Sequence, residues 1–572
     1  MSLEKSEILF DQSIAEALNQ ARTLPEVDLV IAVPFYNEKD TLPQVLSNVQ
    51  IGLRSMQPLR AALMLCVGDP AGSEVLEAIQ EAEFDIPHIE FLMQPGANGR
   101  GASIRAILEI CRVLESDVVI LAADLKQIDE RGFQPEWVNR LIEPIRGDYD
   151  LSLAVFERHY NEDVVGGLFA SPLLEAFYKV HLRDPLSGVY AISHDLLEDY
   201  CLEIKFWTDI TQGYGIDPWM VTRAVIWQDN ICEVKLGAKL SSASLEKINF
   251  IFKEIAAALF TCIKRDVKFW AKRQPVVKHP DHYGYGFSDQ PLMVEDMSHA
   301  LTMAFKRYYE QYQRLYEQAL PAPLNAEIEK TVSSLAGFNK TGGLSAETWA
   351  DLVYNVLLEY SFNPALQADD LLNALTFAFD GRLAQYMSES RFLVDSWPDK
   401  KDPAALSPFL EAAANSQKEV QKQCFVQLWS AFYGQWVHKA IESKPPLTPT
   451  YYLEFIPGLP VILPKQIEGK GQKTVWTDAV FNKLQARYQE SFNHYILESL
   501  PGNEALDPQR LKAPGAVLPP TFFIQKIQDL MEKLEQCLES LLPGDLYTEE
   551  GTAQFVEAIF SLKPFPKIFS VK

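Results

Sequence analysis

Two textures along the 572 residues predict an α/β domain with a mostly parallel sheet followed by a large all-α C-terminal domain. From about residue 27 to 240, short apolar runs rich in β-branched residues alternate with segments of helical period. After Ser244 such runs almost vanish and long amphipathic segments take over. A third observation gives the sheet its sense. Val118-Val119-Ile120-Leu121-Ala122-Ala123 is continuously apolar and closes on Asp124, as expected of a strand buried on both faces with a carboxylate at its C-terminal end.

In chain order, residues 1–26 form an N-terminal helical extension. Strands are expected at Asp28 to Val33, Ala61 to Val67, Ile89 to Met93, Val118 to Ala122, Asp150 to Phe156, Gly188 to Ile192 and Ile231 to Leu240. Between the first two, Leu42, Val45, Leu46, Val49, Leu53 and Met56 recur at helical spacing, with Asp40 or Thr41 as N-cap and Pro43 in the first turn. This region, 27–243, is one domain, and 244–285 is a connecting helix and loop. The helical domain spans 286–572, with helices expected at Glu295 to Gln318, Ser345 to Tyr360, Leu371 to Met387, Gln417 to Ile441, Asp478 to Leu497 and Phe522 to Leu541. Residues 443–471 interrupt it with six prolines among aromatic and aliphatic residues, which favours an ordered, extended excursion. The helical half carries no catalytic motif; it is expected to be structural, to support a homo-oligomer, or to cover the site.

Composition narrows the function. A formal charge of −25 argues against an extended nucleic-acid surface. Seven scattered cysteines without a CxxC pair point to a reducing, cytoplasmic compartment rather than to a zinc site. The first residues lack the order of a secretion signal, and the apolar stretch Ile248 to Trp270 carries Lys253, Glu254, Lys264, Arg265, Asp266 and Lys268, so no membrane span is expected.

The candidate site gathers from the strand ends. After the first strand come Pro34-Phe35-Tyr36-Asn37-Glu38, a loop that either presents a carboxylate to a base or ribose or is simply a polar turn. After the second comes Asp69, suited to a base edge or to capping the helix that opens near Ser73. Pro95-Gly96-Ala97-Asn98-Gly99-Arg100-Gly101-Ala102-Ser103 leads into a helix. Its glycines permit close backbone approach, the helix N-terminus offers N–H groups to a phosphate, and Arg100 adds a permanent forked charge. It has the spacing of neither a Walker A loop nor a Rossmann fingerprint. Asp124 either caps the next turn or faces a ligand. Trp207, Tyr214 and Trp219 flank Asp217 as an aromatic wall for a sugar or as core.

In their order these parts resemble the Rossmann-like nucleotide-sugar half of GT-A fold glycosyltransferases. The likeness is to family 2 broadly, and more closely to the retaining glucosylglycerate and mannosylglycerate synthase type of families 81 and 78. It extends through Gly166-Gly167-Leu168-Phe169-Ala170-Ser171-Pro172-Leu173-Leu174, then Asp184-Pro185-Leu186-Ser187-Gly188-Val189-Tyr190-Ala191, then Gly213-Tyr214-Gly215-Ile216-Asp217, and covers about residues 28 to 240. The resemblance implies a UDP- or GDP-sugar donor. Pro34, Glu38 and Asp69 would bind base and ribose, and Asn98, Gly99, Arg100 and Gly101 the diphosphate. Asp124 would face a Mg²⁺ or Mn²⁺ ion and the diphosphate, Pro185, Leu186 and Gly188 would lie under the donor sugar, and Asp217 would sit beside the reacting sugar and acceptor.

The sequence departs from that pattern at three places. Asp-x-Asp becomes Ala122-Ala123-Asp124. The metal-binding His after the last strand is replaced by Lys239-Leu240-Ser241-Ser242, with His279 or His282 as substitute ligands. The residues that grip an acceptor carboxylate fall at Val164 and Gly166, which leaves Arg158, His159, His181 and Arg183 as nearby anion-binding candidates.

The function these features imply is a hexosyltransferase moving a hexose from a nucleoside diphosphate sugar to a small hydroxylated acceptor, glycerate-like or a sugar, with retention. Arg100, Asp124 and Asp217 would act at the reacting centre, with Asp217 as the base if the enzyme inverts. Arg100→Ala and Asp124→Asn are each expected to remove about 2 to 4 kcal/mol of transition-state stabilisation while leaving the fold intact. A sugar nucleotidyltransferase is one alternative, although its Gly-rich loop would follow the first strand. A non-catalytic nucleotide-sugar-binding or assembly protein is the other.

Overall fold

The computed structural model describes residues 3–56, 61–97, 99–128, 131–157, 162–203, 209–240, 245–271, 277–284, 297–335, 340–395 and 403–442, with the strand pair Gln466–Gly469 and Gln472–Val475. The helices expected at Asp478 to Leu497 and Phe522 to Leu541, most of the proline-rich excursion, Asn98, Arg158, His159 and Trp207 lie outside the described residues.

The α/β alternation is present as read. After α1 (Leu3–Thr23) come β1 (Leu29–Phe35), α2 (Leu42–Ser55), β2 (Ala62–Gly68), α3 (Ser73–Glu81), β3 (His88–Leu92), α4 (Arg100–Leu114) and β4 (Asp117–Ile120). A small hairpin, β5 (Gln127–Ile128) and β6 (Arg131–Gly132), precedes α5 (Glu136–Ile145) and β7 (Leu151–Glu157). Next are two π-helical turns, Gly166–Ala170 and Leu174–Tyr178, around the short α6 (Ser171–Leu173). β8 (Tyr190–Ile192), α7 (His194–Glu203), α8 (Ile216–Trp227), β9 (Ile231–Ala238), α9 (Leu245–Arg265), α10 (Val267–Trp270) and β10 (Asp281–Tyr283) follow. The helical part holds α11 (Ser298–Ala319), α12 (Ala322–Ser334), α13 (Ala346–Phe362), α14 (Ala368–Asp395) and α15 (Pro403–Glu442).

Eight strands form the main sheet in the order β3-β2-β1-β4-β8-β7-β9-β10, and only β8 runs antiparallel to its neighbours. β1 and β2 are buried at every position, as the continuous apolar runs of a sheet covered on both faces require. One face carries Ile31, Val33, Met64, Val119, Cys232, Val234 and Leu236 into a core with α2 and α5, where Phe133, Trp137 and Phe156 stack edge-on or tilted. β10 had no alternation to announce it; it is three exposed residues added alongside the start of β9. Every parallel strand ends at one edge. Because β8 is antiparallel, its entry loop 184–189 opens on that same edge.

The chain divides into two compact units. The first comprises 1–262, 275–356 and 365–426, and so includes much of the helical half with the sheet. Within it the Trp349 indole N–H donates to the Leu168 carbonyl at 3.1 Å, and its ring lies among Phe169, Phe252 and Phe379. Lys418 reaches Asp163 at 3.4 Å beside the first π-turn. The second unit, 263–274, 357–364 and 427–572, is organised around Trp270, whose ring meets Trp429, Phe432, Tyr433 and Trp436. Among the described residues no helix is long and apolar enough to cross a membrane.

Candidate active site

The residues singled out at strand ends converge at the C-terminal edge of the sheet, where open α/β sheets bind ligands. Thr41 caps α2 with its backbone only. Its hydroxyl instead donates to the Ala123 carbonyl at 2.8 Å and ties the loop after β1 to the turn that carries Asp124. The next segment, Lys126, donates its N–H to the Leu240 carbonyl at 2.9 Å, which brings the end of β9 to the same place.

Glu38 turns back on its own loop: Oε2 accepts the N–H groups of Tyr36 at 2.7 Å and Asn37 at 3.0 Å. Asp69 closes a turn by accepting the Ala71 N–H at 3.1 Å, and Gly72, not Asp69, precedes α3. Pro34 is a buried residue of β1 itself, in register with Val67. Asp124 is half-buried just past β4.

Arg100 and Asp217, distant in sequence, form the centre. Arg100 Nε donates to Asp217 Oδ2 at 3.0 Å and Nη2 to Oδ1 at 3.2 Å, a bidentate pair, while the Tyr190 hydroxyl adds a bond to Oδ1 at 3.2 Å. Burial alone would lower the Arg100 pKa, but the charges of Asp217 and Tyr190 hold it above the ordinary guanidinium value. Burial, then Asp217, pushes the Tyr190 phenol well above its usual range, so it remains a proton donor. Arg100 Nη2 also lies 3.4 Å from the Gly188 carbonyl, in the loop that includes Pro185 and Leu186. Gly188 has φ +71, which favours glycine.

Tyr214 joins these groups. Burial raises its pKa first; Arg100 lowers it, and Asp217, Asp124 and Glu38 raise it. Four of the five charged residues that sequence assigns to the donor and reacting centre, all but Asp69, therefore act on this half-buried phenol. Trp219, by contrast, is core, 2% exposed and packed on Tyr200.

The phosphate grip expected at the start of α4 is built differently. The N–H groups of Gly101 and Ala102 donate to the Gln212 carbonyl at 2.7 and 3.1 Å, and the Ser103 N–H to Gly99, so the helix end is closed by protein. The glycines serve that closure. Gly99 sits at φ +109, and a Cβ at Gly101 would lie 1.7 Å from the Thr211 carbonyl oxygen. Gly101→Ala should therefore cost about 1–3 kcal/mol, read as a lower melting temperature. Unchanged melting would mean that the Thr211–Gln212 segment gives way freely.

Sequence reading assigned no role to Tyr190, Gln212, Glu254 or Lys239. Glu254 of α9 accepts the Tyr214 N–H at 2.8 Å and fills the space beside Gly213; burial raises its pKa against that bond. Lys239 Nζ donates to the Ser187 carbonyl at 2.9 Å and lies 5.5 Å from the Phe156 ring centroid. A basic residue where an imidazole was expected was the one available signal.

The substitute metal ligands do not reach this edge. His282 is in register with Glu233 and lies 3.3 Å from its carboxylate, and the His279 ring packs 4.8 Å from that of His181. Six residues of strand from Glu233 to Lys239 separate them from the site by about 20 Å. Among the described residues no three His, Cys, Asp or Glu side chains converge as metal ligands. Asp124 with Ala122 and Lys239 around it is a poor donor set for Mg²⁺ or Mn²⁺, which need several oxygens. Neither Val164 nor Gly166, both buried beside Asp163, offers a group to an acceptor carboxylate.

Sheet order and the single antiparallel strand define the class: a GT-A type α/β fold whose loops converge at the strand C-termini. No family model and no curated protein matches the sequence. Among solved structures, glucosyl-3-phosphoglycerate synthase from Mycobacterium tuberculosis in complex with Mn²⁺, UDP-glucose and phosphoglyceric acid is 18% identical, covering 44% of this chain and 84% of that one at a TM-score of 0.32. The same enzyme with UDP is 19% identical, with 44% and 84% covered at 0.32. These are partial likenesses at low identity, and the ligands in those complexes belong to that enzyme.

Proposed function

We propose that the chain is a glycosyltransferase that binds a nucleoside diphosphate sugar, UDP- or GDP-linked, at this edge and transfers its hexose to a small hydroxylated acceptor. The observation that carries the reading is the buried Arg100–Asp217 pair, joined by the Tyr190 hydroxyl and the Gly188 carbonyl at the C-terminal edge of the sheet. Pro34, Glu38 and Asp69 line the base and ribose end, and Pro185, Leu186 and Gly188 lie beneath the sugar. As the bond between the anomeric carbon and the β-phosphate oxygen breaks, that oxygen keeps the electron pair. The acceptor oxygen forms the new bond, and its proton passes to the departing phosphate. Fixed positive charge beside the leaving oxygen stabilises this transition state without reorganisation.

Asp217 bears on stereochemistry. Both of its oxygens are engaged by Arg100 and Tyr190, which makes it a poor general base and a good positioning group. Retention, with the leaving phosphate as proton acceptor, suits that arrangement better than inversion.

A second reading, a nucleotide-sugar-binding protein without turnover, is favoured by one specific observation: the α4 amides are occupied by Gln212. Melting in the presence of UDP-, GDP- and ADP-sugars tests binding. A cognate donor at a hundred times its Kd should add about 2.7 kcal/mol of apparent stability. Nucleoside diphosphate release on adding acceptors then separates enzyme from binder. Absence of any shift across the panel would defeat both readings.

A further inference from the structure

Phe250 is 59% exposed, and it stands where α9 runs past the candidate site. The turn Gly213-Tyr214-Gly215 packs on that helix: a Cβ at Gly213 would run into the Glu254 carboxylate, and one at Gly215 would lie 2.8 Å from the Ala258 Cβ. Phe250, Glu254 and Ala258 recur every four residues and so share one face of α9. Burial falls away along that face. Ala258 is fully buried, Glu254 accepts the Tyr214 N–H at 2.8 Å, and Phe250 projects beyond the turn into solvent, its ring nearly perpendicular to that of Tyr214 with centroids 6.5 Å apart. The same turn opens α8, where the Asp217 N–H donates to the Tyr214 carbonyl at 3.4 Å. Tyr214 thus links the buried Arg100–Asp217 pair to an exposed aromatic ring. A single exposed phenylalanine is ordinary on a protein surface; one attached to the wall of a reacting centre has a ligand within reach. The charges nearby restrict what that ligand is. Asp217, Asp124 and Glu38 act on Tyr214 against Arg100, which is itself bonded twice to Asp217, and Glu254 adds a carboxylate on the Tyr214 N–H. Carboxylates therefore outweigh one guanidinium that is already paired, a setting that repels an anion and offers acceptors to hydroxyl groups.

We propose that Phe250 is a stacking platform for the acceptor, and that this acceptor is a neutral sugar rather than a glycerate. The inference rests on the glycosyltransferase reading above and narrows its acceptor. One face of a pyranose ring is lined with C–H bonds, which suit the negative face of an aromatic ring, and its rim carries hydroxyls, which suit the carboxylate one helical turn away. A purely hydrocarbon acceptor would gain from Phe250 but would strip water from Glu254 without replacing it.

Acceptor-dependent release of nucleoside diphosphate by the full chain tests this, with UDP-glucose, GDP-glucose and GDP-mannose as donors. Glucose, mannose, their methyl glycosides and sucrose are compared as acceptors with glycerate, 3-phosphoglycerate and benzyl alcohol. The expected result is that a sugar accelerates release and neither glycerate does. Phe250→Ala should raise the KM of that sugar about three- to tenfold while kcat, donor affinity and melting temperature stay unchanged, and Phe250→Trp should restore the KM. A merely structural phenylalanine would instead lower the melting temperature or weaken donor and acceptor together. Acceleration by a glycerate that matches or exceeds that by every sugar, stronger acceleration by benzyl alcohol than by any sugar, or a sugar KM that Phe250→Ala leaves unchanged overturns the proposal and leaves the glycosyltransferase reading standing. Donors that bind while no acceptor accelerates release overturn it as well and favour the binding-protein reading. No binding of any donor overturns both.

Discussion

Asp217→Ala is expected to lower unfolding stability by about 3–5 kcal/mol, because it strands a buried guanidinium. The side chains of Asp217 and Arg100 are only 8% and 14% exposed, and three hydrogen bonds end on the one carboxylate. Without it, Arg100 remains charged at the first residue of α4, where the helix dipole is itself positive. Tyr190 would also be left with a buried hydroxyl lacking this acceptor. Arg100→Ala should be damaging for the converse reason, which corrects the sequence-based expectation that this substitution spares the fold. Replacing both partners with apolar residues, Arg100→Met with Asp217→Leu, should recover most of the stability while abolishing transfer. Urea unfolding of the two single variants and the double variant measures this. Equal losses that simply add would show that the two residues are not coupled.

Asp124→Asn should do the opposite, losing activity without losing stability. Asparagine keeps the shape of a half-buried side chain at the end of a well-paired strand, so melting should be unchanged. What disappears is a charge that acts on Tyr214. The expected fall in kcat/KM is about 30- to 1,000-fold, corresponding to about 2–4 kcal/mol. Full activity in Asp124→Asn would remove this edge as the reacting centre.

Much of this was legible in the sequence, for a physical reason. Strands covered on both faces must be continuously apolar, so β1, β2 and β4 stand out, and their C-terminal ends mark the edge where the candidate residues gather. What sequence could not show were pairings across long separations. Arg100 and Asp217 were both singled out, but as independent actors, since nothing local reveals a bond between residues 117 positions apart. The amides of Gly101 and Ala102 looked available because their acceptor, the Gln212 carbonyl, is a backbone atom with no side-chain signature. His279 and His282 looked like ligands because they cluster in sequence, whereas the register of β10 with β9 sends His282 to Glu233. The glycines of Gly166-Gly167 read as a motif, and their places are set by packing against Asp163 and Lys418.

Trp349 bears on how such a chain can change over time. Its indole is fastened to the Leu168 carbonyl, and its ring is buried with Phe169 and Phe252. A chain cut after residue 243 would leave Phe169 and Leu168 facing water where Trp349, Phe252 and Phe379 now lie. The α/β part and the helices that follow it are therefore not interchangeable modules. Lineages carrying this sheet must inherit both together or rebuild that aromatic seam.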